Sequence, residues 1–292
     1  MGSSLVYHAG ALGDFLTTLP AMGVWRRLHE KDTIMLLGRT NLAELAPEGL
    51  FDEVWDARSS RFAPLFSGPV ERATSLGVRL AAFQSALLFS SAPSGLPASL
   101  RGLGVGEILR QDPFPADRIP AVDYHLSLFR GLTLTAEDRV PRVRRGGGRI
   151  EVPANTAALH PGSGDRRKNW PLAKFVALAE KLRQAGLTVR WVLGPAEEDA
   201  ALPPGERTWR SADLRDLAAA LSVCRLYVGN DSGVSHLAAA CGCLTVALFG
   251  ATDAVVWAPR GPCVRVVASP GGMLEALSVE TVFSECWSSL RQ

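Results

Sequence analysis

The sequence lacks several features that would assign it to a specialised class of protein. Its 292 residues include no apolar run of about 18 residues, so no segment is predicted to span a membrane. The formal charge is only +2, which gives no indication of a nucleic-acid partner. Five scattered cysteines favour reduced thiols over a disulfide framework or a zinc site. Residues 1–10 lack the basic and apolar regions of a secretory signal, so a cytoplasmic location is expected.

Patterns typical of a bound metal are also absent. No Asp-x-Asp pair occurs, and such a pair would indicate a divalent ion held between two carboxylates and a diphosphate. No His-x-x-His or His-Glu-x-x-His motif occurs either. The sequence therefore predicts no metal site and no resident cofactor.

What the sequence does contain is enough material for two globular domains. Hydrophobic residues make up 47% of the chain and charged residues 21%, which allows cores of ordinary size. A stretch rich in arginine, glycine and proline at residues 139–153 is typical of a linker and divides the chain nearly in half. We therefore predict an N-terminal domain at 1–145, a C-terminal domain at 154–277 and a last helix at 278–292.

Short β-type runs alternate with helical patterns on both sides of this linker. The predicted strands lie at residues 5–8, 33–37, 156–160, 188–193, 226–229 and 244–249. The predicted helices lie at 14–30, 171–184, 213–223 and 232–241. This alternation predicts an α/β protein with one parallel sheet in each half, in which ligands bind where strands end and helices begin. Residues 57–120 show no clear pattern.

The first loop of interest, at residues 8–14, combines two glycines with an aspartate. Gly10 and Gly13 allow a tight turn and a close approach of the backbone to a ligand. Their spacing is not that of the dinucleotide fingerprint. Asp14 is suited either to capping the helix that follows or to acting as a general base at the strand end, and helix-start statistics alone favour the cap.

A second loop, at residues 160–171, leaves a strand and enters a helix with glycines and three cations. The amides of Gly162 and Gly164, the hydroxyl of Ser163 and the ammonium of Lys168 are suited to meet phosphate. The alternative is a solvated basic turn, and the clustering of cations before a helix favours phosphate. The segment is not a P-loop, which ends in Gly-Lys-Ser/Thr.

A third loop follows the strand at 188–193 and carries Glu197 and Glu198. Acidic residues at a helix start interact favourably with the helix dipole, which is the simpler explanation. The functional alternative is a carboxylate that accepts hydrogen bonds from ribose hydroxyls.

A fourth loop, at residues 229–236, runs into an alanine-rich helix. Asp231 or Ser232 is suited to cap this helix, and the small Gly233 lets a ligand approach its N-terminus, where the amides and the dipole favour anionic oxygen. His236 follows Ser232 by four residues and shares its helix face. It is either a satisfied core histidine or a ligand-binding group, and the residues leave both open.

Together these loops resemble glycosyltransferase family 9, which includes the ADP-heptose:lipopolysaccharide heptosyltransferases. The resemblance lies in residues 160–164 (HPGSG), 168–171 (KNWP), 229–233 (GNDSG), 236–240 (HLAAA) and 249–253 (FGATD). The loop at Gly13 and Asp14 also resembles the N-terminal signature of the family. The likeness implies an α/β GT-B architecture, in which two Rossmann-like domains face each other across a central crevice and the last helix packs back on the N-terminal domain.

The resemblance also implies roles for individual residues. Asp14, on the acceptor loop with Gly10 and Gly13, would be the base that deprotonates the acceptor hydroxyl. Ribose would be bound by Glu198 or, one residue earlier, by Glu197. The donor phosphates and sugar would be held by a set of loop residues: Ser163, Gly164, Lys168, Asp231, Ser232, Gly233 and His236.

These roles predict an inverting glycosyltransferase that moves heptose from ADP-heptose to a lipopolysaccharide-core or related glycan. The expected partners are this nucleotide-sugar donor and an anionic glycan or glycolipid acceptor, with peripheral contact at the inner membrane surface. Arg58 and Arg61 could face such an acceptor, and a solvated surface explains them equally well. The alternatives are a catalytically silent nucleotide-sugar-binding module and another GT-B enzyme such as a nucleotide-sugar epimerase. The presence of Asp14 favours an enzyme, because nucleotide binding alone does not need it.

Overall fold

The computed structural model of the protein describes residues 2–68, 70–91, 95–145, 149–194, 197, 201–210 and 213–292. The chain divides into two compact units, Met1–Arg139 (unit 1) and Val140–Gln292 (unit 2). The division falls at the amino end of the segment that was predicted to be a linker.

Unit 1 alternates strands with helices along the chain. Its strands are β1 (Ser3–His8), β2 (Thr33–Gly38), β3 (Glu53–Asp56), β4 (Ser85–Phe89) and β5 (Glu107–Gln111). Its helices are α1 (Leu12–Leu28), α2 (Thr40–Ala43), α3 (Pro64–Ser67), α4 (Ser75–Leu80), α5 (Leu96–Gly102) and α6 (Ala121–Leu126).

Unit 2 repeats this alternation. Its strands are β6 (Thr156–His160), β7 (Thr188–Val192), β8 (Thr208–Trp209), β9 (Leu226–Asn230), β10 (Thr245–Phe249) and β11 (Val264–Ala268). Its helices are α7 (Leu172–Gln184), α8 (Leu214–Val223), α9 (Gly233–Ala240), α10 (Ala254–Trp257) and α11 (Val279–Leu290).

Both sheets have the strand order of a Rossmann-type fold. The order is β3-β2-β1-β4-β5 in unit 1 and β11-β10-β9-β6-β7-β8 in unit 2, and the strand pairs are parallel. The direction of winding reverses between β1 and β4 in unit 1, and between β6 and β9 in unit 2. In such sheets ligands bind beyond the carboxyl ends of the strands at this switch point. The loops that follow β1, β4, β6 and β9 are therefore the places to look for a site.

The core of unit 2 explains why these strands form where they do. Strands β6, β9 and β10 are buried along their whole length, which is typical of parallel strands covered by helices on both faces. Helix α7 places Phe175, Leu178 and Leu182 on one stripe, and these side chains pack in a common cluster with Trp191 of β7. Burial of each such side chain contributes roughly 1.5–3 kcal/mol to folding.

The α/β prediction is confirmed, and the predicted strands and helices of unit 2 agree closely with those observed. In unit 1 the sequence did not reveal β3, β4 and β5, or the short helices between them. Within unit 2 the last helix, α11, contacts α7 and β11, and its packing on the N-terminal domain stays a prediction. None of the helices in the described part of the chain is long and apolar enough to cross a membrane.

Candidate functional site

The switch point of unit 2 brings two of the predicted loops together. β6 ends at His160 and β9 ends at Asn230, and the two strands pair directly through His160 and Gly229. The wholly buried Asn230 ties the two loops to each other. Its Nδ2 donates to the Pro161 carbonyl at 2.8 Å, and its Oδ1 accepts from the Trp170 amide at 2.9 Å. Sequence reasoning did not assign a role to Asn230, because both of its partners lie more than 55 residues away along the chain.

Lys168 lies inside this site. Its Nζ donates to Oδ2 of Asp231 at 2.8 Å, and the same oxygen accepts from Oγ1 of Thr252 at 2.7 Å. The Lys168 side chain is 30% exposed, while that of Asp231 is 8% exposed. Asp231 therefore fixes the ammonium from its buried side and leaves the other side open to a ligand. Thr252 is a further residue that the sequence did not single out, although it lies within the motif at 249–253.

Helix α9 begins at the same edge of the sheet with Gly233 as its first residue. Ser232 is the N-cap, and its Oγ accepts from the amide of Ser235 at 3.4 Å. The structure thus decides between the two candidate caps in favour of Ser232. The first amides of a helix lack partners within the helix and attract anionic oxygen, so the start of α9 is suited to a phosphate group.

In the third predicted loop the structure describes Glu197, whereas Glu198 lies outside the described residues. Oε2 of Glu197 accepts from the Gly194 amide at 2.8 Å and lies 3.7 Å from Nε2 of His160. Its carboxylate also covers Gly162, where an added Cβ would lie 1.8 Å from Oε1. A side chain at position 162 would therefore displace the carboxylate of Glu197.

Two further residues of the second loop, Ser163 and Gly164, have different surroundings. The Ser163 hydroxyl lies 2.7 Å from the Asp165 carbonyl oxygen and 2.6 Å from Oδ1 of Asn169, so it stabilises its own turn. Gly164 has open space where a Cβ would lie, which suggests no steric need for glycine there. Of the three cations, Arg167 is exposed and paired with Asp165 at 2.7 Å, while Lys168 points to the switch point.

His236 is buried within the first turns of α9. Burial holds its pKa below the ordinary value, opposed by the charge of Asp231 and assisted by that of Lys168. The ring is therefore neutral at pH 7, the form in which one nitrogen donates a hydrogen bond and the other accepts one. Among the described residues no group of three or more histidines, cysteines or acids is arranged to hold a metal ion.

In unit 1 the predicted acceptor loop follows β1. Helix α1 begins at Leu12, two residues earlier than predicted, so Gly13 lies in its first turn and not in a loop. Oδ2 of Asp14 accepts from the Ala11 amide at 3.1 Å, which shows that Asp14 caps its own helix. An added Cβ at Gly10 would lie 3.0 Å from Oδ2 of Asp14, so glycine lets the carboxylate stay close to the strand end.

The carboxyl ends of β1, β2 and β4 in unit 1 also carry buried polar atoms that have no hydrogen-bond partner within the described part of the chain. They belong to His8 at the end of β1, to Arg39 and Asn41 just after β2, and to Ser90 just after β4. The ring of His8 packs edge-on against Phe89, as does that of His125, whose nitrogens are also unpartnered. Each unsatisfied buried group costs about 1–3 kcal/mol, so a ligand or water that supplied partners would bind favourably.

The two arginines considered as acceptor contacts belong to the surface of unit 1. Arg58 is exposed and makes two hydrogen bonds of 3.0 Å with the carboxylate of Asp56. The Arg61 guanidinium lies 4.5 Å from the centre of the Phe62 ring. Arg58 is thus neutralised locally, which favours the simpler explanation of a solvated surface for that residue.

The buried histidines of unit 1 make the stability of the protein sensitive to mild acid. Burial, with a further contribution from His125, lowers the pKa of His8 to about 3, and burial lowers that of His125 to about 4, compared with an ordinary 6.5. The unfolded chain therefore binds protons that the folded chain excludes, and the free energy of unfolding falls as the pH drops below 6.5. Between pH 7 and pH 5 we expect each ring to contribute a loss of about 2 kcal/mol.

Urea unfolding of the wild type and His125→Gln at these two pH values checks this prediction. The variant should lose about 2 kcal/mol less than the wild type on acidification, because glutamine does not titrate. An equal loss in both proteins would show that His125 does not exclude a proton in the folded state.

The fold and the site together define the class of protein. Two Rossmann-type units, one with a lysine and a capped helix at its switch point, make this a GT-B protein. The solved ADP-heptose lipopolysaccharide heptosyltransferase II of E. coli superposes with a TM-score of 0.76 over 99% of both chains, at 18% identity. E. coli heptosyltransferase WaaC with ADP superposes with a TM-score of 0.69 over 98% of this chain and 99% of that one, at 17% identity. At these identities the likeness shows the fold.

The sequence comparison identifies the family. Residues 125–285, more than half of the chain, match the model of glycosyltransferase family 9 (heptosyltransferase). The chain therefore belongs to glycosyltransferase family 9. A curated relative, lipopolysaccharide heptosyltransferase 3 of Escherichia coli (strain K12), is 31% identical over 158 residues, which cover 47% of this chain and 46% of the relative. The match thus spans less than half the length of that relative.

Proposed function

We propose that this protein transfers heptose from ADP-heptose to a glycan acceptor of the lipopolysaccharide core, with inversion at the anomeric carbon. Membership of family 9 supports sugar transfer. The names of the relative and of the E. coli structures support heptose, ADP and lipopolysaccharide as the chemistry to test first. A glycolipid acceptor of this kind would bring the protein into peripheral contact with the membrane surface.

The observation that carries the proposal is that Lys168 and the start of α9 lie at the same switch point, joined through Asp231. The ammonium and the first amides of the helix suit the two phosphates of the donor and the negative charge that grows on the departing diphosphate. Asp231 and Glu197 are carboxylates, so they suit hydroxyl groups and not phosphate. Asp231 is therefore assigned to sugar hydroxyls and to holding Lys168, and Glu197 to the ribose.

The acceptor is assigned to unit 1. Asp14 takes the proton of the acceptor hydroxyl as that oxygen forms its bond to the anomeric carbon and the bond to the diphosphate breaks. The unpartnered polar atoms of His8, Arg39, Asn41 and Ser90 support a hydroxyl-rich acceptor at this edge, because sugars offer both donors and acceptors of hydrogen bonds. The guanidinium of Arg39 suits an anionic substituent.

The test is to incubate the protein with ADP-heptose and a lipopolysaccharide core that lacks its heptoses. We expect the acceptor to gain the mass of one heptose while one equivalent of ADP is released. Binding of ADP-heptose without transfer to any core acceptor would indicate a silent binding module. Conversion of the sugar without an acceptor would indicate an epimerase, and either result would overturn the proposal.

A further inference from the structure

The imidazole of His160 joins the donor loops of unit 2, and the proposed function gives it no role. His160 is the last residue of β6, and its side chain is 4% exposed. Nδ1 lies 3.3 Å from Oγ of Ser232, and Nε2 lies 3.7 Å from Oε2 of Glu197. One ring therefore contacts the loop after β7 on one side and the cap of α9 on the other.

The contact with His160 orients the carboxylate of Glu197, which has few other interactions among the described residues. The described partners of this carboxylate are the ring of His160 and the amide of Gly194. The His160 side chain is the main cause that lowers the pKa of Glu197, against the opposing effect of burial. Glu197 therefore stays ionised, and its outer lone pairs remain able to accept from hydroxyl groups.

The contact with Ser232 fixes the start of α9. A carboxylate beside Nε2 favours the tautomer that carries its proton there, so Nδ1 accepts from the Ser232 hydroxyl. Oγ of Ser232 still accepts from the Ser235 amide as the helix cap. With its hydroxyl hydrogen directed at His160, Ser232 leaves the first amides of α9 as the donors that face a phosphate.

We infer that His160 is a positioning residue that orients both the ribose side and the phosphate side of the donor site. This inference rests on the proposed donor site in unit 2. One ring nitrogen orients Glu197 for the ribose hydroxyls, and the other orients Ser232 at the helix that receives the diphosphate. Loss of one ring nitrogen should then weaken the contacts to either the ribose or the diphosphate and leave the contacts to the other unchanged.

Two substitutions separate the two contacts. The side-chain amide of glutamine in His160→Gln reaches the position of Nε2 and keeps a donor for Glu197. The shorter amide in His160→Asn reaches the position of Nδ1 and keeps a partner for Ser232. Calorimetric titration with ADP, 2′,3′-dideoxy-ADP and pyrophosphate then measures the ribose and phosphate contributions separately.

We expect opposite patterns in the two variants. The wild type should bind ADP about tenfold more tightly than dideoxy-ADP, as lost hydrogen bonds to a charged group imply. In His160→Asn this ratio should fall to about twofold while pyrophosphate affinity stays near the wild-type value. In His160→Gln the ratio should persist while pyrophosphate affinity falls by about tenfold.

Matched measurements separate this inference from the proposed function. His29, a partly buried histidine 3.0 Å from the carboxylate of Asp32 in unit 1, supplies the control His29→Asn, which should leave all three affinities unchanged. Equal losses for all ligands in both His160 variants, with unchanged melting temperatures, would overturn the positioning role. Failure of the folded wild type to bind ADP would instead overturn the donor site itself.

Discussion

Replacement of Asp14 by asparagine is expected to lower the rate of sugar transfer by about 10²–10⁴-fold, the usual contribution of a general base. The asparagine oxygen can still accept the hydrogen bond that the Ala11 amide donates to Oδ2 of Asp14 at 3.1 Å. The first turn of α1 therefore keeps its cap while the side chain loses its basicity. Single-turnover transfer from ADP-heptose, with the Kd of the donor measured in parallel, checks this prediction.

A matched control exists in unit 2. Asp213 is the N-cap of α8 and accepts from the Arg215 amide at 2.8 Å, so Asp213→Asn makes the same chemical change at a helix start outside the proposed machinery. That variant should transfer sugar at the wild-type rate. A rate for Asp14→Asn within twofold of the wild type would show that Asp14 serves only as a cap.

Replacement of Lys168 by glutamine is expected to weaken the binding of ADP by more than tenfold. A charge-assisted hydrogen bond to phosphate contributes about 1.5–3 kcal/mol, and glutamine carries no charge. The glutamine amide can still donate to Asp231, so the buried carboxylate keeps a partner beside Thr252. Calorimetric titration of ADP, UDP and GDP into the wild type and the variant measures the loss and the preference for the base.

The neighbouring Arg166 provides the control for this measurement. It is an exposed cation of the same turn, two residues before Lys168, and its neutralisation removes the same unit of charge from the loop. Arg166→Gln should change the affinity by no more than about twofold, as screening of exposed charges implies. Equal losses in the two variants would mean that the loop attracts the nucleotide only through its overall charge.

The sequence predicted the strands that precede the loops at 160–171 and 229–236 because their residues have an unambiguous pattern. β6, β9 and β10 are short apolar runs bounded by glycine and polar residues, and each lies within one residue of its predicted ends. Unit 1 was harder between residues 53 and 102, where the helices have four to seven residues each. Such a helix completes fewer than two turns, so no apolar stripe has the length to reveal it.

The site was predicted in part for a similar reason. The glycine turns and Lys168 follow from local motifs, whereas the contacts that orient them join residues far apart in the sequence. Lys168 meets Asp231 across 63 positions, and His160 meets Ser232 across 72. Only the strand order brings these pairs together, and that order cannot be obtained from the spacing of residues along the chain. For Ser163 the local motif suggests a phosphate ligand, whereas the structure shows its hydroxyl bonded within its own turn.

The buried Trp170 links the turn of Lys168 to a distant part of unit 2. Its indole nitrogen donates to the Leu277 carbonyl at 3.0 Å, and Lys174 donates to the same oxygen at 2.8 Å. Leu277 immediately precedes the N-cap of α11, so the turn that carries Lys168 and the approach to the last helix share one acceptor. These shared hydrogen bonds couple the two segments, so we expect fluctuations that release α11 to loosen the turn that carries Lys168.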